Sequence, residues 1–255
     1  MKWDTVLTED QLNHLYKYFR LPVFWSGVFN NNGYIKGNRT LEKSVYTPIA
    51  EPLLYFIYNE DFWGYKEVTN STTGKTWMDR NLGASRVATS KTDSLAYGDL
   101  FQFGRLDDGH QKRDSLTTDV LSPTDIPGHA KFIKSETTPY DWRVYPDLLL
   151  WKASDYKNLP APVGWRLPTE VEYAAEINSW DVSADLSDGA FDSNRKWTLG
   201  GRRLQTASLN SVGSIGYYYP DTNTGASARY LRIEASPSYA NSIRSQACSV
   251  RLIKI

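Results

Sequence analysis

The spacing of apolar and polar positions changes character along this chain of 255 residues. Near the start, Leu12, Leu15, Tyr16 and Phe19 recur at helical spacing. Thr8 with Gln11 fits a capping box, in which hydroxyl and carboxamide satisfy orphan amides. The pattern predicts one short amphipathic helix that ends before Pro22. FNNNGYIKGN at Phe29 to Asn38 reads as a turn between short strands, because Asn and Gly tolerate positive φ. So short a helix cannot bury its apolar face alone. Residues 1–66 are therefore expected to form a small attachment or oligomerisation element.

From Glu67 the pattern shifts to strands and short helices in a loop-rich chain. Leu95, Leu100, Phe101 and Phe103 are spaced to cover one side of a short helix. Thr169 and Glu172 make a second capping box, with Val171, Tyr173, Ala174 and Ile177 as the apolar stripe. Between them, residues 106–160 are rich in Asp, Ser, Thr and Pro, which predicts a locally packed insertion anchored by LLLW at Leu148 to Trp151. In ARYLRIE, Leu231 and Ile233 share a face with Arg229, expected to be buried. Tyr230, Arg232 and Glu234 take the other face, expected to be offered to solvent. The apolar SVRLIKI at Ser249 to Ile255 predicts a buried strand.

Composition narrows the class. With 40% hydrophobic and 14% aromatic residues, the chain is long enough to bury one sizeable core beside an appendage. Rigid amphipathic rings, here 9 Trp and 17 Tyr, suit cores and binding faces alike. No 18-residue apolar run occurs, so membrane insertion is not expected, and MKWDTVLTED lacks the apolar stretch of a secretion signal. The sequence as it begins reads as made in a cytoplasm. The single Cys248 excludes an intrachain disulfide and is expected to be a small core residue.

Charge is balanced overall but not locally. Residues 105–194 hold 9 basic and 16 acidic side chains, whereas residues 195–255 hold 9 basic against only Asp221 and Glu234. Two readings follow: the segments fold together and neutralise, or a basic face steers the protein toward an anionic surface such as an acidic glycan.

Little in the sequence marks catalysis. His14, His110 and His129 have no metal-ligand spacing and read as surface or turn residues. DLSDGAFDSN at Asp185 to Asn194 gathers oxygen ligands but lacks EF-hand spacing, and Asp-Gly turns need no metal. No phosphate loop, dinucleotide fingerprint or GxSxG elbow occurs, so no cofactor, metal or catalytic residue is assigned and an enzyme is not expected. The arginines are scattered rather than aligned on one helix, so nucleic-acid binding is not expected.

Five pieces, GKTWMDRNLGA, AYGDLFQFGR, APVGWRLPTEVEYAA, the GSIGYYY to ASARYL stretch and SVRLIKI, resemble the Fibrobacter succinogenes major paralogous domain of bacterial surface and phage proteins. They span Glu67 to Ile255 apart from the insertion. The resemblance implies an α+β, C-type lectin-like domain over 67–255, with short helices and a loop-rich antiparallel sheet. It is also similar to diversity-generating retroelement proteins, whose variable segment lies near the C-terminus of such a domain. By that likeness Tyr217, Tyr218, Tyr219, Asp221, Asn223, Ser227, Tyr230, Arg232, Ser238, Tyr239, Asn241 and Arg244 are ligand-binding candidates on a displayed face. Calcium-dependent sugar lectins of this fold carry Glu-Pro-Asn or Gln-Pro-Asp with a Trp-Asn-Asp run, none of which occurs here. Formylglycine-generating enzymes of the fold rely on paired cysteines, and this chain has one.

The implied function is non-enzymatic receptor binding by a phage virion component, a tail-fibre tip or capsid fibre made in the host cytoplasm. The partners would be a host-surface glycan or protein and, through the N-terminal element, other virion proteins in a homo-oligomer, possibly a trimer. A bacterial cell surface is the alternative location if the natural N-terminus is longer. The alternative functions are a structural virion protein packed against neighbours and a polysaccharide depolymerase.

Overall fold

A computed structural model describes residues 27–29, 35–37, 65–152, 156–162, 164–181, 185–224 and 227–255. The chain divides into two units, Met1–Tyr65 and Lys66–Ile255. In the first, β1 (Gly27–Phe29) pairs antiparallel with β2 (Ile35–Gly37), placing Phe29 opposite Ile35 on either side of the Asn-rich stretch. The helix expected over Thr8 to Phe19, with His14, lies outside the described residues.

The second unit is mixed and rich in sheet. In chain order it runs β3 (Glu67–Thr69), β4 (Thr76–Met78), a 3-10 turn (Ser94–Ala96), β5 (Phe101–Gln102), β6 (Thr117–Thr118), β7 (Phe132–Ile133), β8 (Trp165–Arg166), α1 (Glu170–Ile177) and α2 (Leu186–Asp192). There follow β9 (Arg202–Arg203), β10 (Leu209–Asn210), β11 (Gly216–Tyr218), β12 (Asn223–Thr224), β13 (Ser227–Ile233), β14 (Ser238–Ser242), β15 (Ala247–Cys248) and β16 (Ile253–Lys254).

Three antiparallel sheets organise these strands, apart from β6 and β7, which pair parallel with each other. In the order β3-β4-β16-β8, the last strand sits between elements from the start and middle of the unit, with Ile253 facing both Trp77 and Arg166. A second sheet runs β10-β9-β15-β5. In the third, β13 is central: Leu231 faces Tyr218 of β11 on one edge and Tyr239 of β14 on the other. The main core lies between that sheet, β4, β16 and the helices, where Trp77, Tyr173, Trp180, Trp197, Tyr218, Leu231, Ile233 and Ile253 cluster. Trp197 is its hub, with the Tyr218 ring edge-on at 5.0 Å and the Trp77 ring at 5.5 Å.

Helix α1 starts where its capping box predicts. Thr169 Oγ1 accepts from the Glu172 amide, and the Glu172 carboxylate accepts from the Thr169 amide. Its buried stripe is shifted from the expected one. Val171 is 79% exposed, while Tyr173 and Glu176 are fully buried, because the core lies along the Tyr173–Glu176–Ile177–Trp180 line.

The helix expected across Leu95 to Phe103 is replaced by the 3-10 turn and β5. Asp93 caps the turn by accepting from the Leu95 amide, Gly98 then takes φ +71°, and Phe101 and Gln102 pair with β15. The Asp-rich run from Asp185 folds as α2, its first carboxylate used as an N-cap on the Ser187 amide.

The insertion is not packed only on itself. Phe132, Ile133, Trp142, Leu150, Trp151 and Leu159 are all fully buried, whereas Leu148 and Leu149 of the expected anchor are exposed. Trp142 Nε1 donates to Phe103 O, and the Gln102 carboxamide donates to Ile133 O and Ser245 O. Gly104 opens the segment at φ +84°, where a Cβ would stand 2.7 Å from Leu150 Cβ. His110, expected at the surface, is fully buried: its Nε2 accepts from the Gln102 amide and its Nδ1 meets Asp108 at 2.7 Å. His129 lies partly exposed in a bend. Cys248 is buried, and burial pushes its thiol up to about 12. No helix among the described residues is long and apolar enough to cross a membrane.

Candidate recognition face

Alternation along β13 decides which candidates meet. One face carries Leu231 and Ile233 into the core, with Arg229 partly exposed at its edge on Glu170; the other carries Ala228, Tyr230 and Arg232. On that outer face Tyr230 stands opposite Ala240, and Arg232 stands between Ser238 of β14 and Tyr217 of β11. The Tyr217 and Tyr230 rings meet edge to face at 5.3 Å. Arg202, from β9 of the neighbouring sheet, lies over both, 4.6 Å from the Tyr217 centroid and 5.4 Å from that of Tyr230.

This covering corrects the expectation of displayed tyrosines. Tyr217 is 3% exposed and Tyr230 is 7% exposed, because the guanidinium and the neighbouring rings occupy the space above them. Tyr218 points the opposite way and is sealed in the core, its hydroxyl donating to Thr198 O and accepting from the Thr198 amide. Tyr219 is also sealed, between Phe103 and Trp151, and its hydroxyl donates to Gln246 O. Arg244 is fully buried beside fully buried Asp141, with Nε 2.8 Å from Oδ2, and lies over the Phe103 ring. None of these five residues is displayed.

The remaining candidates divide. Arg232 and Ser238 share the outer face. Tyr239 is partly buried against α1, its hydroxyl donating to Glu170 O, and burial raises its pKa. Asn241 is exposed but sits at the core-side edge, accepting from Arg229. Asp221 is held in a loop by its amide bond to Pro168 O, and desolvation raises its carboxyl above the usual range. Asn223 and Ser227 belong to the tight β12–β13 turn, where Thr224 faces Ser227.

Arg202 was not singled out from sequence. The signal was the adjacent pair Arg202–Arg203 in a short strand, which alternation must send to opposite sides. Arg203 turns inward over Phe132 and donates to Ala207 O, Ser115 O and Ser115 Oγ. Arg202 turns outward, is partly exposed, and donates from Nη1 to Tyr230 Oη and Gln246 Oε1. Among the described residues it has no carboxylate partner. Arg232 pairs with Glu234 at 3.0 Å. Gln246 is steadied in turn by Ser242 and Gln205. The face is thus two guanidinium groups in a neutral hydroxyl and carboxamide frame, with one carboxylate.

A separate cleft of about 280 Å³ lies between the Asn70–Thr72 turn and the ends of α1 and α2, lined by Ser179, Asp181, Asp192 and Arg195 among others. Its strongest groups are already engaged: buried Glu176 accepts from Arg195 and from Asn70 behind the wall. Comparison with protein-family models, curated proteins and solved structures finds no match to this chain.

Proposed function

We propose that the chain is a non-enzymatic recognition protein, a virion-borne adhesin whose second unit is a C-type lectin-like domain that contacts a host-surface polymer or protein. Contact is made through Arg202, Arg232, Ser238 and Gln246 rather than through the buried tyrosines. The resemblance to the Fibrobacter succinogenes major paralogous domain supports the fold and the setting. One observation carries the binding: a partly exposed guanidinium stacked on two tyrosines, without a carboxylate partner among the described residues. The rings fix the fork in place, so little side-chain freedom is lost when a ligand docks. Several copies on one particle would add avidity to a weak single contact.

The test is binding of the purified chain to immobilised bacterial envelope fractions by surface plasmon resonance. The wild type should bind. The Arg202→Gln/Arg232→Gln double variant should bind roughly tenfold or more weakly at an unchanged melting temperature, as expected for lost interface anchors. Equal binding by the double variant would overturn the proposal.

A structural role has one observation in its favour. Leu116, Val120, Tyr145 and Leu149 on the insertion are 75%, 74%, 75% and 65% exposed, which suits packing against a neighbour. Particles that fail to assemble when Val120 and Tyr145 become Ser, but still adsorb when Arg202 becomes Gln, would favour that role.

A further inference from the structure

We infer that the ligand of this face is a carboxylate-bearing polysaccharide, an inference that rests on the recognition role proposed above. The charge left over after folding leads to it. Most of the basic surplus in residues 195–255 is spent on acidic groups elsewhere: Arg195 on Glu176, Arg229 on Glu170, Arg244 on Asp141 and Lys254 on Glu67. Arg203 and Arg251 are buried and use carbonyl, hydroxyl and carboxamide oxygens. Lys196 lies over the Phe191 ring, and Arg202, partly exposed, is tied to a phenol and a carboxamide oxygen.

The geometry favours a planar anion. Of the Arg202 fork, Nη1 faces Tyr230 and Gln246, and Nε is buried without a hydrogen-bond partner. Nη2 is the remaining donor for an incoming oxygen. Arg232 is the strand partner of Tyr217, its Nη2 on Glu234, which leaves Nη1 for a second oxygen. Planar, delocalised guanidinium donors match the paired oxygens of a carboxylate better than a single point charge does. The surroundings favour a sugar over a protein. Exposed Ser238 and partly exposed Gln205 and Gln246 offer hydroxyl and carboxamide partners for sugar hydroxyls. None of the large apolar side chains exposed elsewhere on the described chain belongs to β11, β13 or β14, so the face lacks the apolar anchors on which protein interfaces depend.

The experiment uses three immobilised probes, polygalacturonate, dextran sulfate and neutral dextran, with envelope fractions as a fourth surface. The wild-type chain should bind polygalacturonate in preference to dextran sulfate and should not bind dextran. Arg202→Gln should weaken polygalacturonate binding about tenfold, and Arg202→Lys should weaken it severalfold, because lysine keeps the charge but loses the fork. Arg232→Gln gives a second, independent loss, and unchanged melting temperatures show that the variants are folded. Absence of polygalacturonate binding, or wild-type binding by Arg202→Gln, overturns the inference. Equal affinity for sulfate and uronate, with Arg202→Lys indistinguishable from wild type, also overturns it by reducing the contact to point charge. Soluble polygalacturonate separates this inference from the recognition role. Envelope binding that needs Arg202 but resists the competitor leaves the recognition face standing and removes its uronate ligand. Envelope binding indifferent to Arg202 removes the recognition role itself.

Discussion

A carboxylate without solvent must find its donors inside the protein, and Glu176 finds Asn70 Nδ2, Trp180 Nε1, Arg195 Nε and Trp197 Nε1. Removing it leaves a buried guanidinium uncompensated, so Glu176→Ala should cost about 3–5 kcal/mol in urea denaturation, with part regained when Arg195 is also made Met. His110 makes a pH prediction. Burial, the dominant cause, depresses its imidazole to about 4 despite the Asp108 contact. The unfolded histidine protonates near 6.5, so between those values the unfolded chain holds more protons and stability falls as the pH falls. The stabilisation is complete above about pH 6.5, and roughly 3 kcal/mol should be lost by pH 4. Melting temperatures across pH 4–7 should show this loss, and His110→Gln, which keeps an acceptor for the Gln102 amide, should flatten it. Neither residue's role was legible in sequence. Glu176 depends on Asn70, Arg195 and Trp197, distant along the chain, and sits in a helix stripe that reads as apolar only around it. The partners of His110, Asp108 and Gln102, are near in sequence, but their spacing does not announce its burial.

At the level of elements, the most legible signals were local. The capping box of α1 forms as read because all its atoms lie within four residues, Thr169 to Glu172. Thr169→Ala should therefore cost about 0.5–2 kcal/mol in chemical denaturation. Val171→Lys, at a position the period placed inward and the fold leaves outside, should stay within about 0.5 kcal/mol of wild type. Tyr173→Ala, two residues on and fully buried, should cost roughly 3–5 kcal/mol. Alternation along β13 also read correctly: Leu231 and Ile233 do face the core. Its other face was misjudged because a polar, aromatic strand face gives no sign of a cover arriving from another sheet. Arg202 supplies that cover from β9. The Leu95–Phe103 stretch failed for a related reason: its ring spacing suits a helix, but pairing to β15, more than a hundred residues later, takes precedence.

Across the whole molecule, the charge asymmetry is largely absorbed by folding, as the first of its two readings expected. Ion pairs between segments absorb Arg195, Arg229, Arg244 and Lys254, Arg203 and Arg251 are buried on neutral oxygens, and Lys196 lies over Phe191. Arg202 is left partly exposed on β9, over the outer face of β13, without a carboxylate partner among the described residues. The insertion, expected to pack on itself, supplies Trp142, Trp151 and Asp141 to the walls around Phe103, Tyr219 and Arg244, so the tyrosine-rich segment is fixed by residues far outside it. The central claim is that this outer face makes the contact, and arginine footprinting tests it most directly. Phenylglyoxal labelling of the folded chain, with and without bound envelope fraction, is read residue by residue by mass spectrometry. The expected result is protection of Arg202 and Arg232 on binding, while Arg86, whose side chain is 49% exposed beside Asp93, labels equally in both states. Unchanged labelling of Arg202 and Arg232 in the bound chain would contradict the account.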